Sequence, residues 1–98
     1  MAWITILSEI REHKITGEWC LCFQKCVYNY SPNNSEPGYR FIWRRPDDSL
    51  QPARGQARIP SIADIIKLIR MAVEDGWLSK KDLQDIKQDI VILQSKCG

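Results

Sequence analysis

The stretch Glu18-Trp-Cys-Leu-Cys-Phe-Gln-Lys-Cys-Val-Tyr28 alternates with the period of two that is typical of a β-strand. One side carries large apolar side chains apart from a single lysine: Trp19, Leu21, Phe23, Lys25 and Val27. The other side carries three cysteines and a tyrosine: Cys20, Cys22, Cys26 and Tyr28. Because both sides are largely apolar, the segment predicts a strand that is covered on two faces rather than one.

Two further extended segments are predicted downstream of this strand. Residues 31–38 are dense in turn-forming residues and predict a polar loop. A second strand is predicted over about 39–45, followed by a turn at Pro46-Asp47-Asp48. The third segment, over about 50–58, contains proline and glycine, so we expect an edge strand or irregular structure there.

The N-terminal segment predicts a helix, with a strand as the competing interpretation. Its apolar residues recur at helical spacing: Trp3, Ile6, Leu7 and Ile10. Gly17 follows as a stop signal, so we expect a helix over about 3–14. A short strand at Trp3–Leu7 is the alternative.

The C-terminal third predicts two helices. Ser61 with Asp64, and Ser79 with Asp82, resemble capping boxes, in which a serine and an acidic residue three positions later satisfy the first backbone N–H groups. The first helix should end at Glu74-Asp-Gly76. Its apolar stripe, which we expect to be buried, comprises Ile62, Ile65, Ile66, Ile69, Ala72 and Val73.

The last helix should reach about residue 95 and carries apolar residues with 3-4-3-4 spacing: Leu83, Ile86, Ile90, Leu93 and Cys97. We call the first four of these the apolar seam, because such spacing is what one helix presents to another. The seam either docks on the preceding helix and the sheet, or pairs with the same helix of a second copy in a homodimer. Residues 76–78 make a short link, so an antiparallel helical hairpin is expected.

These elements predict one α+β domain spanning residues 1–98. It would be an antiparallel three-stranded meander, packed by an N-terminal helix and a C-terminal helical hairpin, in the order α-β-β-β-α-α.

Composition and charge give little support to several classes of protein. The formal charge of +2 and the pI near 8.4 are below the values common in dedicated nucleic-acid-binding domains. The first residues lack a positively charged leader, and no apolar run is long enough for a membrane helix. We therefore expect a cytoplasmic protein with reduced cysteines, no membrane partner and no small-molecule substrate.

Metal binding and catalysis receive little support from the residues. Cys20, Cys22 and Cys26 are weak candidate zinc ligands, because strand spacing places the first two about 6.6 Å apart without the turn of a zinc knuckle. Free cysteine behaves as a small buried hydrophobe, which is the simpler interpretation. His13, the single histidine, has no nucleophile or orienting carboxylate at a recognisable spacing. We expect no cofactor and no enzymatic activity.

The basic segment 39–58 is the main functional signal. It holds five of the seven arginines and no lysine: Arg40, Arg44, Arg45, Arg54 and Arg58. Trp43 and two other aromatic residues alternate with them. Arginine pairs bidentately with carboxylate or phosphate and stacks on rings. Three interpretations are open: a solvated strand face, a surface for protein or self-association, and a phosphate-contacting surface for nucleic acid.

Tyr39-Arg-Phe-Ile-Trp-Arg-Arg-Pro-Asp-Asp-Ser-Leu and Arg54-Gly-Gln-Ala-Arg-Ile-Pro-Ser resemble a block found in small bacterial proteins, including mobile-element accessory proteins, that have no assigned chemistry. The resemblance covers residues 39–62 and implies no catalytic or ligand-binding residues. Taken with the residues themselves, it favours a small non-catalytic interaction protein, with nucleic-acid binding as the alternative.

Overall fold

Residues 2–52 and 57–97 are described by the structure, a computed structural model. They form five elements: β1 Trp3–Arg11, β2 Cys20–Ser31, β3 Asn34–Arg44, α1 Ile62–Glu74 and α2 Lys80–Cys97. The strands make one antiparallel sheet in the order β1-β2-β3, with β2 in the centre. The element order is therefore β-β-β-α-α, and the prediction of an N-terminal helix is wrong.

A β-bulge explains why β1 looked helical in the sequence. Trp3 pairs with Asn29 and Ile10 pairs with Phe23, so Trp3 and Ile10 lie on the same side of the sheet although an odd number of positions separates them. The register shifts between Ile6 and Ser8, which inserts one residue into the alternation. The extra residue adds one position between apolar residues before and after the bulge. Their separations in sequence therefore match those of a helix.

The strands predicted around residues 18–28 and 39–45 are confirmed within β2 and β3, but the meander differs from the prediction. Ser31 already pairs with Asn34, so most of the predicted loop 31–38 is strand. In the predicted third strand, Leu50 forms a single isolated bridge with Arg44, and residues 53–56 lie outside the described residues. The third strand of the sheet is β1. The turn at Pro46 is confirmed, since the N–H of Asp48 donates to the carbonyl of Arg45 at 2.8 Å.

One helix covers one face of the sheet. Leu68 and Ala72 of α1 are fully buried against Ile10 of β1 and Leu21 of β2. Half-buried residues complete this cluster: Phe23, Phe41, Trp43, Ile59, Met71 and Trp77. Among the described residues no second helix packs on the opposite face, which we call the open face. The prediction that β2 is covered on two faces is nevertheless confirmed, because Leu21 on one face and Cys22, Gln24 and Cys26 on the other are buried. On the open face the cover comes from side chains of the neighbouring strands rather than from a second helix.

The apolar stripe predicted for α1 is rotated away from the sheet. Ala72 belongs to both the predicted stripe and the buried cluster, but Ile62, Ile66 and Ile69 are exposed. The residue that anchors the helix, Leu68, lies outside the predicted stripe. The helix has more apolar surface than its contact with the sheet uses, so its periodicity did not indicate which part would be covered.

Helix α2 extends away from the rest of the described structure. Within residues 2–52 and 57–97, no Cα atom of α2 comes within 8 Å of one in another helix or strand. Every described residue of α2 is exposed. The predicted antiparallel hairpin with α1 is therefore wrong, although the helix itself and its start are as predicted.

Both predicted capping boxes are confirmed. The hydroxyl of Ser61 accepts from the N–H of Asp64 at 3.3 Å. At α2, the hydroxyl of Ser79 accepts from the N–H of Asp82 at 3.1 Å, and the carboxylate of Asp82 accepts from the N–H of Ser79 at 3.0 Å. These contacts are local, so the sequence was sufficient to locate them.

Substituting Leu68→Ala should lower the free energy of unfolding by about 3 kcal/mol, because a fully buried side chain leaves a cavity. Ile66→Ala, at a position 58% exposed, should change it by about 0.5 kcal/mol or less. Urea unfolding monitored by tryptophan fluorescence measures both. Equal losses from the two variants would contradict the observed orientation of α1.

Candidate interaction surfaces

A network of charged side chains spans all three strands on the open face. The carboxylate of Glu9 on β1 accepts from Nε and Nη2 of Arg44 on β3, at 3.0 and 2.8 Å. It also accepts from Nε2 of Gln24 on β2 at 2.5 Å and from Nε of Arg11 at 2.7 Å. Gln24 is fully buried and in turn accepts from Nε of Arg40 at 2.7 Å. The network therefore joins the strands by side chains as well as by the backbone.

The network sets the charge state of Glu9. Burial opposes ionisation, but hydrogen bonds from Arg44, Gln24 and Arg11 outweigh it and lower the pKa of the Glu9 carboxyl below its ordinary value. The same hydrogen bond raises the pKa of Arg44. Nη1 of Arg44 donates to the carbonyl of Asp48 at 2.6 Å, and Arg11 forms an ion pair with the Asp48 carboxylate. Arg44 thus has its charge balanced by Glu9 and all three nitrogens engaged.

Three of the cysteines lie beneath or beside this network on the open face. Cys22 and Cys26 are fully buried, and Cys20 is nearly so. Burial raises the pKa of Cys22 to about 12 and also raises the pKa of Cys26. Metal ligation and nucleophilic attack both require the thiolate, so burial makes these two thiols poor candidates for either. Their placement fits the prediction of structural thiols.

The arginines of segment 39–58 are distributed over different parts of the molecule. Arg40 and Arg44 lie on the open face. Arg44 also lines a cavity of about 430 Å³ at the end of β3, together with Arg45, Arg11 and other residues. Arg58 lies beside Trp43 on the helix-covered face, where its carbonyl accepts from the indole N–H at 2.8 Å. Arg54 lies outside the described residues.

The aromatic residues of the same segment contribute mainly to the covered face. Phe41 stacks on Phe23, with ring centroids 4.6 Å apart. Trp77, in the middle of the link between the helices, packs against Phe23 and Tyr39 with ring centroids at 5.2 and 6.1 Å. Tyr39 is the most exposed member of this cluster. The structure therefore separates these rings from Arg40 and Arg44, which lie on the opposite face of the sheet.

His13 has a structural position in the loop between β1 and β2. Its Nδ1 accepts from the N–H of Ile15 at 3.1 Å, which leaves Nε2 to donate to the carbonyl of Trp19 at 3.0 Å. Both ring nitrogens of the neutral ring are thereby used to close the loop. The helix predicted over about 3–14 would have placed His13 near its end, whereas the structure places His13 after β1.

The apolar seam of α2 is exposed over its whole length. Leu83 and Ile86 are 40% and 41% exposed, and Ile90 and Leu93 are 49% and 57% exposed. Val91 and Ile92 beside them are exposed as well. An 18-residue helix in water derives most of its stability from packing of its apolar side. Within the described residues nothing packs on this side, so the seam is the strongest candidate for a contact with another molecule.

Sequence reasoning missed the partners of the arginines. Glu9, Arg11 and Gln24 meet Arg44 and Arg40 because β1 pairs with β2, whereas the N-terminal segment was predicted to be a helix. The exposure of α2 was one of the two alternatives that the sequence left open. Its periodicity alone is equally compatible with docking on the same chain and with docking on another.

Comparison of the chain with protein-family models, curated proteins and solved structures found no match. None of the helices in the described residues has the length and apolarity needed to cross a membrane. Inferences about function therefore rest on the surfaces described above.

Replacing Glu9 by Gln should lower the free energy of unfolding by about 2 kcal/mol near neutral pH, because it removes the charge that Arg44 and Arg11 bind. Since the pKa of Glu9 is lowered by folding, its stabilisation is present above the ordinary value of 4.5 and is lost as the pH falls through the folded-state pKa. The difference between the variant and the wild type should therefore shrink between about pH 6 and about pH 3.

Urea titrations across that pH range measure the effect. The matched control is Glu36→Gln, an exposed glutamate on β3, which should change stability by about 0.5 kcal/mol or less. A constant difference between Glu9→Gln and wild type at all pH values would show that the ion pairs of Glu9 do not stabilise the fold.

Proposed function

We propose that this protein is a small non-catalytic interaction protein that acts by self-association, with α2 of one copy packed along α2 of another. The exposed apolar seam on a helix that approaches no other described element carries the proposal. Burying such a seam against an identical one is the arrangement of a two-stranded coiled coil. Identical subunits most often associate about a two-fold axis.

The charges beside the seam favour a parallel arrangement. In the heptad notation of coiled coils, Leu83 and Ile90 occupy position a, Ile86 occupies d, Asp82 occupies g and Lys87 occupies e. Parallel helices in register bring Asp82 of each copy beside Lys87 of the partner subunit. In the fully overlapped antiparallel register, each Lys87 faces Lys87 of the partner subunit, and Asp89 faces Asp89 of the partner subunit. The antiparallel register also brings Asp82 beside Lys96 of the partner subunit, but only the parallel register avoids contacts between like charges. The parallel dimer is therefore favoured.

The arrangement of the arginines favours protein contact over phosphate binding. Arg44 is already balanced by Glu9, and Arg58 lies on the opposite side of the sheet from Arg40. Arg45 shares a cavity with Arg44, Arg11 and Lys14, but Glu18 and Asp48 line the same cavity, and Asp48 and Glu9 form ion pairs with Arg11 and Arg44. These carboxylates reduce the uncompensated positive charge on which phosphate binding depends. Arg40 and Arg45 are better suited to polar contacts at the edge of a protein interface. A reducing cytoplasmic setting is consistent with the buried free thiols and forms part of the proposal.

The double substitution Ile86→Asp with Ile90→Asp should convert the seam-mediated dimer to a species of half the mass, because four carboxylates would meet in an apolar layer. Gln84→Asp with Gln88→Asp introduces the same charge on the opposite side of α2 and is the matched control. Light scattering after size exclusion, under reducing conditions, measures the mass. The control should keep the wild-type mass. A wild-type mass that does not change in the seam variant contradicts the proposal.

Oxidative cross-linking at Cys97 tests the orientation. Cys97 is exposed and occupies an a position, so parallel helices should bring the two thiols together, and mild oxidation should yield a covalent dimer. Antiparallel helices would separate them by about 27 Å, the length of an 18-residue helix. The control is Cys97→Ser with Ser95→Cys, which moves the thiol away from the seam and should cross-link much more slowly.

Salt dependence distinguishes nucleic-acid binding from self-association through the seam. Binding to single-stranded or duplex DNA that weakens steeply between about 50 and 200 mM salt would favour phosphate contacts. A dimer mass that is insensitive to the same change favours the apolar seam.

A further inference from the structure

The outer edge of β1 is a second candidate for association. β1 lies at one side of the sheet, so among the described strands its backbone pairs only with β2. The outward backbone N–H and C=O groups of such a strand are a template for another strand. Proteins that remain monomeric usually protect such an edge with charged side chains, proline, a bulge or a covering segment.

The two edges of the sheet differ in this protection. The outer strand on the other side, β3, contains Pro37 and three charged residues, Glu36, Arg40 and Arg44. Its last residues are also covered, because the N–H of Gln51 donates to the carbonyl of Trp43.

The first half of β1 has none of these charges or prolines. Trp3-Ile-Thr-Ile-Leu7 is uncharged, and its apolar side chains are exposed on both faces: Trp3 48%, Ile4 39%, Ile6 38% and Leu7 55%. Helix α1 reaches β1 around Ile10, at the far end of the strand. The bulge between Ile6 and Ser8 and the charged Glu9 and Arg11 limit the unprotected stretch to its first five residues.

We propose that the Trp3–Leu7 segment pairs antiparallel with the same segment of a second copy, which joins two sheets into one of six strands. A two-fold axis perpendicular to the sheet keeps each face on its own side. With the axis at Thr5, Ile4 lies opposite Ile6 of the partner subunit, and the two threonines lie opposite each other. Apolar β-branched pairs and Thr–Thr pairs of this kind stabilise neighbouring strands.

The composition of the Trp3–Leu7 segment favours the same segment of a second copy as the strand that pairs with it. Because Trp3–Leu7 carries no charge, the pairing brings no like charges together. The Ile4 and Ile6 side chains from both copies would extend the apolar end of the open face. There, the Tyr28 ring lies so close over Gly38 that an added Cβ atom would be 2.8 Å from it. Pairing would give the outward backbone groups hydrogen-bond partners and cover side chains that are now in contact with water.

This interface is distinct from the seam of α2, and a protein with both would form assemblies larger than a dimer. Two separate two-fold interfaces on one subunit generate either a closed tetramer or an open chain of dimers. We expect the wild-type protein to have a mass of at least four subunits. That expectation rests on the proposed function, whereas the pairing of β1 does not.

The test measures the pairing of β1 in a variant whose α2 seam cannot associate. With Ile86→Asp and Ile90→Asp, the protein should be a dimer held by β1 alone. Adding Ile4→Lys with Ile6→Lys should give a monomer, because four ammonium groups would meet at the edge. The matched control adds Ile15→Lys with Thr16→Lys, the same charge at exposed positions of the loop after β1, and should stay a dimer. Light scattering after size exclusion gives each mass.

The outcomes separate the two proposals. A monomeric seam variant overturns the pairing of β1, and so does a dimer that survives the two lysines. If the lysine pair alone reduces the wild-type protein to a dimer, both interfaces are supported. If the seam substitutions leave the wild-type mass unchanged while the lysine pair makes the protein monomeric, β1 pairing holds and the seam proposal fails.

Cross-linking keeps the proposal testable if the lysine variant does not fold. Thr5→Cys in a Cys97→Ser background places two thiols opposite each other at the two-fold axis, so oxidised glutathione should produce a covalent dimer. Asn33→Cys in the same background, in the turn between β2 and β3, is the control and should remain monomeric on denaturing gels. Equal cross-linking of the two variants would overturn the proposed register.

Discussion

The described structure depends on one packing contact, the burial of Leu68 and Ala72 of α1 against Ile10 and Leu21 of the sheet. Within residues 2–52 and 57–97, it is the one place where a helix meets the strands. A three-stranded sheet has two faces, and a single helix can cover only one of them. Much of the remaining surface therefore has to be stabilised by side chains within the sheet or by contacts outside the chain.

On the open face, the sheet is stabilised from within. The Glu9 carboxylate holds Arg44 and Arg11, and Gln24 links it to Arg40, so hydrogen bonds connect all three strands above the buried thiols. Buried charges are tolerated when they are paired and hydrogen-bonded, as these are. Arg40 and Arg44, which the sequence suggested as part of a recognition surface, therefore also stabilise the fold. Their role there explains why fewer of them are free to bind a partner.

Two surfaces that α1 does not cover are the proposed sites of association between copies of the chain. The seam of α2 and the first half of β1 both expose large apolar side chains, and each is chemically suited to pair with its own copy. For a chain of 98 residues with a small buried cluster, association would add buried apolar area that one chain cannot supply. The two surfaces are far apart in sequence and belong to different elements, so substitutions can separate their effects.

Local signals in the sequence predicted the helix starts at Ser61 and Ser79, the turn at Pro46, the alternation of β2 and the spacing of the seam. Each depends on residues a few positions apart, which interact in the same way wherever the segment lies. The tertiary structure decided the rest. A bulge in β1 gave a strand the apolar spacing of a helix, and Leu68 rather than Ile66 met the sheet. The partners of Arg44 became evident once β1 lay beside β2, because Glu9 and Arg44 are 35 positions apart and meet through strand pairing. Periodicity shows that a surface is apolar, but which surface is covered depends on what the rest of the chain can reach.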